Sequence, residues 1–168
     1  EKLRRERMRQ MSTGVTSYTV AKTAAQPYVL VPMQGDLYAQ DLGEGPGAAT
    51  LRLVFDKTST GASGGAIDAQ LSPDGTRVAF VQDKEVYVAR VSAHGEAPHK
   101  AIQVTSGARG CGKMNGLADF IAQEEMDRYR GFWWSPCGTR IAFEQVDEAH
   151  IPLYHILHQG KDDVVSEQ

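Results

Sequence analysis

One eleven-residue segment occurs twice in this chain, and that repetition limits the fold more than any other feature. Ser72-Pro73-Asp74-Gly75-Thr76-Arg77-Val78-Ala79-Phe80-Val81-Gln82 returns as Ser135-Pro136-Cys137-Gly138-Thr139-Arg140-Ile141-Ala142-Phe143-Glu144-Gln145, 63 positions later, with eight of the eleven residues identical. Each copy reads as a strand end, a turn with proline second and glycine fourth, and an apolar strand. In the earlier copy Asp83-Lys84-Glu85 leads into a further strand, Val86 to Val91. A fainter copy lies 49 positions upstream, with Tyr38 in the place of Tyr87. There Tyr28 to Val31 form the middle strand, Asp36 to Leu42 the last, and Ala24 to Pro27 replace the turn. In the third copy Val146 to Pro152 lengthen the hairpin before Leu153-Tyr154-His155-Ile156. Strand-rich units repeating at roughly 45 to 65 residues suggest propeller blades, since WD and kelch blades have periods of about 40 to 50. A closed ring needs at least about four blades. The expected fold is therefore mainly β, a partial β-propeller of about three blades over residues 15–168, with a short inserted helix carrying an acidic pair. Ahead of it, residues 1–14 read as an N-terminal helix laced with ion pairs and ended by Gly14.

The 168 residues suffice for one domain with a real core, and a net charge of −3 offers no basic excess for a nucleic acid. The longest apolar runs, such as Tyr28 to Met33, fall far short of the about 20 residues that span a bilayer. The chain starts on Glu1 without a charged-then-apolar leader and ends on a polar tail, so an internal fragment is expected. Cys111 and Cys137 lack metal spacing and are too few for a disulfide framework, so both read as ordinary thiols.

Three local patterns imitate functional motifs. Gly61-Ala62-Ser63-Gly64-Gly65 satisfies the G-x-S-x-G of a nucleophile elbow, but an elbow needs a helix after it, and Ala66 to Leu71 run straight into the Ser72 turn. A flexible loop between blades is the expected role. Gly107 to Lys113 resembles a phosphate loop, yet Met114 follows where magnesium needs a hydroxyl. Arg109 and Lys113 remain as a weak attraction for an anion. His150, His155 and His158, beside Glu144, Asp147 and Glu148, match no zinc spacing and read as surface residues. Neither a metal nor a cofactor is expected.

The stretch from Asn115 to Phe143 holds the candidate site. Leu117, Phe120 and Ile121 stand at three- and four-residue spacing, which predicts a short helix with these side chains on one buried face and Asn115 as its cap. Glu124 and Glu125 fall near its far end. Adjacent helical side chains diverge, yet at a helix end both acids can turn toward one cation held just beyond it. Two carboxylates this close repel each other unless a cation offsets them. Arg128, Arg130 or a ligand ammonium could serve, and the plainer alternative is a solvated acidic face. Trp133 and Trp134 read as blade-packing residues, one inward and one toward the neighbouring blade.

The segment Ala122-Gln123-Glu124-Glu125-Met126-Asp127-Arg128-Tyr129-Arg130-Gly131-Phe132-Trp133-Trp134-Ser135-Pro136 closely resembles the acidic-pair segment in the N-terminal propeller of the dipeptidyl peptidase IV family, within the prolyl oligopeptidase class of serine peptidases. The likeness is nearest to bacterial members and to the dipeptidyl peptidase 8 and 9 type, and Glu1 to Arg7, Gly35 to Tyr38 and Val146 to Glu148 extend it. It implies a serine exopeptidase that releases X-Pro or X-Ala dipeptides from a free N-terminus, with Glu124 and Glu125 binding the substrate α-ammonium. The implied partners are a peptide with a free N-terminus and a C-terminal α/β-hydrolase domain of the same protein; a homodimer of the full protein stays open. The family's Ser-Asp-His triad has no match here, so this chain alone is expected to be inert, and the family's substrate-binding arginine has no assigned position. The resemblance implies a periplasmic location if the source is bacterial and a cytoplasmic one otherwise. A non-catalytic propeller that binds peptides or protein partners is the alternative.

Overall fold

The computed structural model describes residues 15, 17–24, 27–43, 51–152, 155–157 and 164–166. The helix expected over residues 1–14 lies outside the described residues.

Two four-stranded antiparallel sheets account for the first two units. The first comprises β1 (Thr19–Ala21), β2 (Tyr28–Met33), β3 (Asp36–Asp41) and β4 (Arg52–Phe55), hydrogen-bonded in chain order. The second comprises β5 (Ile67–Leu71), β6 (Arg77–Gln82), β7 (Glu85–Arg90) and β8 (Ile102–Gln103), also in chain order. The central hairpins of the two sheets have identical lengths, two six-residue strands around a two-residue turn. All four turn residues, Gln34, Gly35, Asp83 and Lys84, have positive φ, between 50° and 89°. Such turns match the right-handed twist of the flanking strands. Glu85 consequently opens β7 rather than belonging to the hairpin loop.

The Ser-Pro turns also repeat. Ser72 N–H donates to Arg77 O at 2.9 Å and Gly75 N–H to Ser72 O at 2.8 Å; in the later copy Ser135 and Gly138 donate to Arg140 and Ser135, both at 2.8 Å. Gly75 and Gly138 adopt φ of 69° and 68°, which residues with a Cβ rarely accept. In the earlier turn the Asp74 carboxylate accepts from Ser72 Oγ at 2.6 Å, Thr76 Oγ1 at 2.8 Å and Thr76 N–H at 3.1 Å. Cys137 occupies the same slot in the later turn, its sulfur 3.3 Å from Ser135 Oγ and 3.0 Å from Thr139 Oγ1. Hydrogen bonds from these two hydroxyls bring the thiol down to about 7, so Cys137 departs from the ordinary thiol expected.

β6 is buried on both faces, as the middle of a stack requires. Val78 and Phe80 face the first sheet, and the Phe80 ring lies 4.2 Å from Phe55 of that sheet and 5.9 Å from Tyr87 of its own. Ala79 and Val81 point the other way and pack with Val86 and Phe132. Alternation along a single strand thus seats a neighbour on each side of the second sheet.

The third unit is built differently. β9 (Lys113–Asn115) precedes the helical insertion, and β10 (Phe132–Trp134) pairs with β11 (Ile141–Phe143) after it. At Glu144 the chain leaves that pair, and β12 (Gln145–Asp147) joins β9 instead. Val146 and Asp147, expected in a hairpin loop, are therefore strand, because β9 offers them an edge. β13 (His155–Leu157) pairs with β14 (Val164–Ser166). Trp134 faces the second sheet and donates its indole N–H to Gln70 O at 3.1 Å. Trp133 is exposed rather than inward. The Gly61–Gly65 loop leads into β5, not a helix, and it is pinned rather than loose. The buried Gln82 amide donates to Lys57 O and Gly64 O at 2.8 and 2.9 Å and accepts from Thr60 Oγ1 at 2.7 Å.

Alkylation rates measured by mass spectrometry across a pH series should show Cys137 reacting with a midpoint near 7. Thr139→Val should move that midpoint upward. A Cys137 midpoint at the ordinary thiol value of about 8.5 would contradict the anion-slot account.

Candidate functional site

Between β9 and β10 the chain carries α1 (Phe120–Glu125), the one helix among the described residues. Asp119 caps it by accepting from Ala122 N–H at 2.7 Å, and Gln123 Nε2 closes back onto Ala118 O at 2.7 Å. Two expectations are corrected here. Asn115 is not the cap, because it is locked into β9, and the predicted buried face does not form: Phe120 and Ile121 are 52% and 61% exposed. Six residues make under two turns, and the small side chain of Ala122 is the one that α1 buries.

Main-chain bonds hold the two limbs of this insertion at their roots. Leu117 and Arg130 form an antiparallel bridge. Gly116 N–H donates to Glu144 O at 2.9 Å, and Glu144 N–H donates to Gly131 O at 2.8 Å. The limbs run so close that a Cβ on Gly131 would stand 2.5 Å from the Leu117 carbonyl carbon. Glu144, where β11 gives way to β12, therefore ties both limbs to the sheet.

A buried carboxylate lies beneath these roots. Glu85, 1% exposed, accepts from Thr105 Oγ1 at 2.6 Å, Ala108 N–H at 2.7 Å and Asn115 Nδ2 at 2.9 Å. Asn115 Oδ1 in turn accepts from Gln145 Nε2 at 2.8 Å. Burial by itself pushes the Glu85 carboxyl up, but the hydrogen bonds from Thr105, Asn115 and the backbone at Ala108 and Arg109 outweigh it and hold the group below its ordinary value.

Glu124 and Glu125 sit exposed at the other end of α1. Among the described residues, neither carboxylate accepts a hydrogen bond or pairs with a cation. Arg128 does not serve them. Its Nη1 lies 2.6 Å from Glu144 Oε2 and its Nη2 3.3 Å from Glu144 Oε1, while its main-chain N–H donates to Ala122 O at 2.9 Å. Asp127, at φ 51°, makes the left-handed step that turns the chain back for this bond. The last turn of α1 holds no basic residue, so the two acids add to the partial negative charge of its carbonyls.

The weak anion site expected at Arg109 and Lys113 does not form. Arg109 Nε pairs with Asp83 Oδ2 at 2.7 Å, and Lys113 Nζ with Asp147 Oδ2 at 3.2 Å. In the sequence Glu85 and Gln145 carry no functional signal, while Asn115 reads as a helix cap and Glu144 as a surface residue. One signal was present: Glu144 takes the place of Val81 in an otherwise repeating strand.

A family model for the Dipeptidyl peptidase IV (DPP IV) N-terminal region matches residues 16–168. Dipeptidyl peptidase 8 of Homo sapiens is 25% identical over 171 residues, covering 93% of this chain and 18% of its own length. Dipeptidyl peptidase 4 of Felis catus is 32% identical over 83 residues, 49% of this chain and 10% of its own. The crystal structure of Porphyromonas gingivalis dipeptidyl peptidase 4 matches with a TM-score of 0.64 at 21% identity, over 96% of this chain and 22% of that one. This last likeness is one of fold, and it supports reading the antiparallel sheets as part of a propeller. The chain spans about a fifth or less of the length of these relatives.

The Glu85 network makes stability depend on pH. Because folding depresses this carboxyl below its ordinary 4.5, its contribution is full above that value and is lost as pH falls through the lower, folded value. Glu85→Gln should reduce the free energy of unfolding by about 1 to 3 kcal/mol at neutral pH, with the gap to wild type closing in acid. Urea titrations at a series of pH values check this, and a gap that does not change with pH would contradict it.

Proposed function

Given that the chain belongs to the dipeptidyl peptidase IV N-terminal region family, we propose that it is the propeller segment of a serine exopeptidase releasing X-Pro or X-Ala dipeptides, in which Glu124 and Glu125 bind the substrate's α-ammonium. One observation carries this reading. Two adjacent exposed carboxylates stand at the carbonyl end of α1 without a partner among the described residues, beside an arginine committed elsewhere.

An α-amino group has a pKa of about 8, so a peptide presents it mostly as a cation at neutral pH. Two carboxylates attract that cation and favour its charged form. Like charges at the negative end of a helix cost stability, and a local rule broken in this way is the usual mark of a functional site. Holding the amino end fixes which peptide bond lies at the nucleophile, so the pair acts as a ruler and contributes through positioning. The nucleophile itself belongs, in this reading, to a hydrolase domain of the same protein. This chain supplies selection rather than bond cleavage and is inert alone.

In the protein that carries this chain, Glu124→Ala and Glu125→Ala should each lower kcat/KM for dipeptidyl substrates by at least about 2 kcal/mol, roughly thirtyfold. Steady-state kinetics check the effect, and wild-type values in both variants would sink the assignment.

A further inference from the structure

We infer that Arg128 and Glu144 form a positioning strut that aims the acidic pair and keeps it free of its own neighbouring cation; this inference rests on reading Glu124 and Glu125 as an ammonium clamp. Three observations lead there. First, α1 is far shorter than the about 12 residues at which a helix begins to hold by itself, and Ala122 is the residue it buries. Its direction must come from its ends. Asp119 fixes the first end. At the second, the Arg128 N–H holds Ala122 O while the Arg128 guanidinium reaches Glu144 through two nitrogens.

Second, Glu144 is the junction of the whole insertion, since its main-chain N–H and C=O hold Gly131 and Gly116, one on each limb. The strut therefore connects the carbonyl end of α1 to the point where both roots are fastened. Because those root bonds are main-chain, substituting the Glu144 side chain removes the strut without releasing the roots. The repeat locates this device too, for the earlier copy has Val81 at that position and no insertion beside it.

Third, Arg128 lies only three residues beyond Glu125. Without Glu144 the guanidinium would keep only the Nη1 bond to Arg130 O at 3.0 Å, and its uncompensated charge would be drawn to the two neighbouring carboxylates, where it would compete with a ligand ammonium. Pairing it with Glu144 withholds it. The two halves of the strut therefore differ: losing Glu144 both loosens α1 and frees a competitor, whereas losing Arg128 only loosens α1.

The test uses the protein that carries this chain, with a free-amine X-Pro chromogenic dipeptide substrate, and compares Glu144→Gln, Arg128→Gln and the double variant, with Glu124→Ala and Glu125→Ala alongside. Glu144→Gln should raise KM by about fivefold or more with kcat within about twofold of wild type. Arg128→Gln should raise KM less, and the double variant should fall back to the Arg128→Gln value, because the freed competitor is gone. A merely structural role would instead give equal losses in the two single variants and no further loss in the double variant, because each change breaks the same ion pair, with thermal melting falling in step. Equal or additive KM effects of the two single variants, wild-type KM in Glu144→Gln, or losses confined to kcat would each overturn the strut. If Glu124→Ala and Glu125→Ala raise KM and the strut variants do not, only this inference fails. If all variants keep wild-type kcat/KM, the ammonium-clamp reading fails and takes the strut with it.

Discussion

Glu85 keeps its charge inside the protein by accepting hydrogen bonds from Thr105, Ala108 and Asn115 rather than by pairing with a cation. A buried carboxylate is tolerated only when its lone pairs are satisfied, so those three donors are fixed relative to β7. Asn115 ends β9, and the insertion departs from the next residue. Through the Asn115–Gln145 bond the same network reaches β12, which returns from the other side. β9, which leads into the insertion, and its pairing partner β12 are thus referred to one buried anion in the second sheet. An apolar residue at position 85 would fill the space but would leave the Ala108 amide without its acceptor and Asn115 Nδ2 with only Ser106 O at 3.5 Å, at a cost of about 1 to 3 kcal/mol for an unsatisfied group.

The repeat explains the sheets, and its departures explain the site. Phe80 and Phe143 occupy the same place in the two copies, yet Phe80 is fully buried and Phe143 is 46% exposed. The difference lies in what surrounds them. Phe80 lies between Phe55 of the first sheet and Tyr87 of its own. Phe143 borders a groove of about 440 Å³ with Val88, Ile102, Val104 and Trp134. β11 is short because the chain turns away at Glu144 to pair with β9, and that detour brings the Glu144 carboxylate within reach of Arg128. A packing position has become a fastening point for a polar insertion.

Period-two alternation, turn chemistry and the repeat made the strand units legible, because each rests on local rules that the tertiary structure did not override. Both Ser-Pro turns stand where their residues place them, and the second hairpin differs from its reading in that Glu85 belongs to the strand and not to the loop. Less legible was anything set by contacts distant in sequence. The spacing of Leu117, Phe120 and Ile121 suggested a buried face, but a helix of six residues on a protruding insertion has little to bury against. Asn115 has the chemistry of a helix cap, and Glu85 drew that side chain into the interior instead. Arg128 was a natural partner for Glu125 three residues away, and only the fold brought it a better-placed carboxylate from 16 residues on. Glu124 and Glu125 were legible as an adjacent pair, but that Arg128 does not pair with them depends on where its guanidinium points.

Recognition of a free amino terminus is the role proposed for the acidic end of α1. The most direct measurement compares hydrolysis of a glycyl-prolyl chromogenic substrate with hydrolysis of the same substrate acetylated at its N-terminus, using the protein that carries this chain. Acetylation removes the positive charge while leaving the scissile bond unchanged, so cleavage of the free-amine form alone is the predicted result. Equal cleavage of both forms would contradict the account and leave the two carboxylates as a solvated surface.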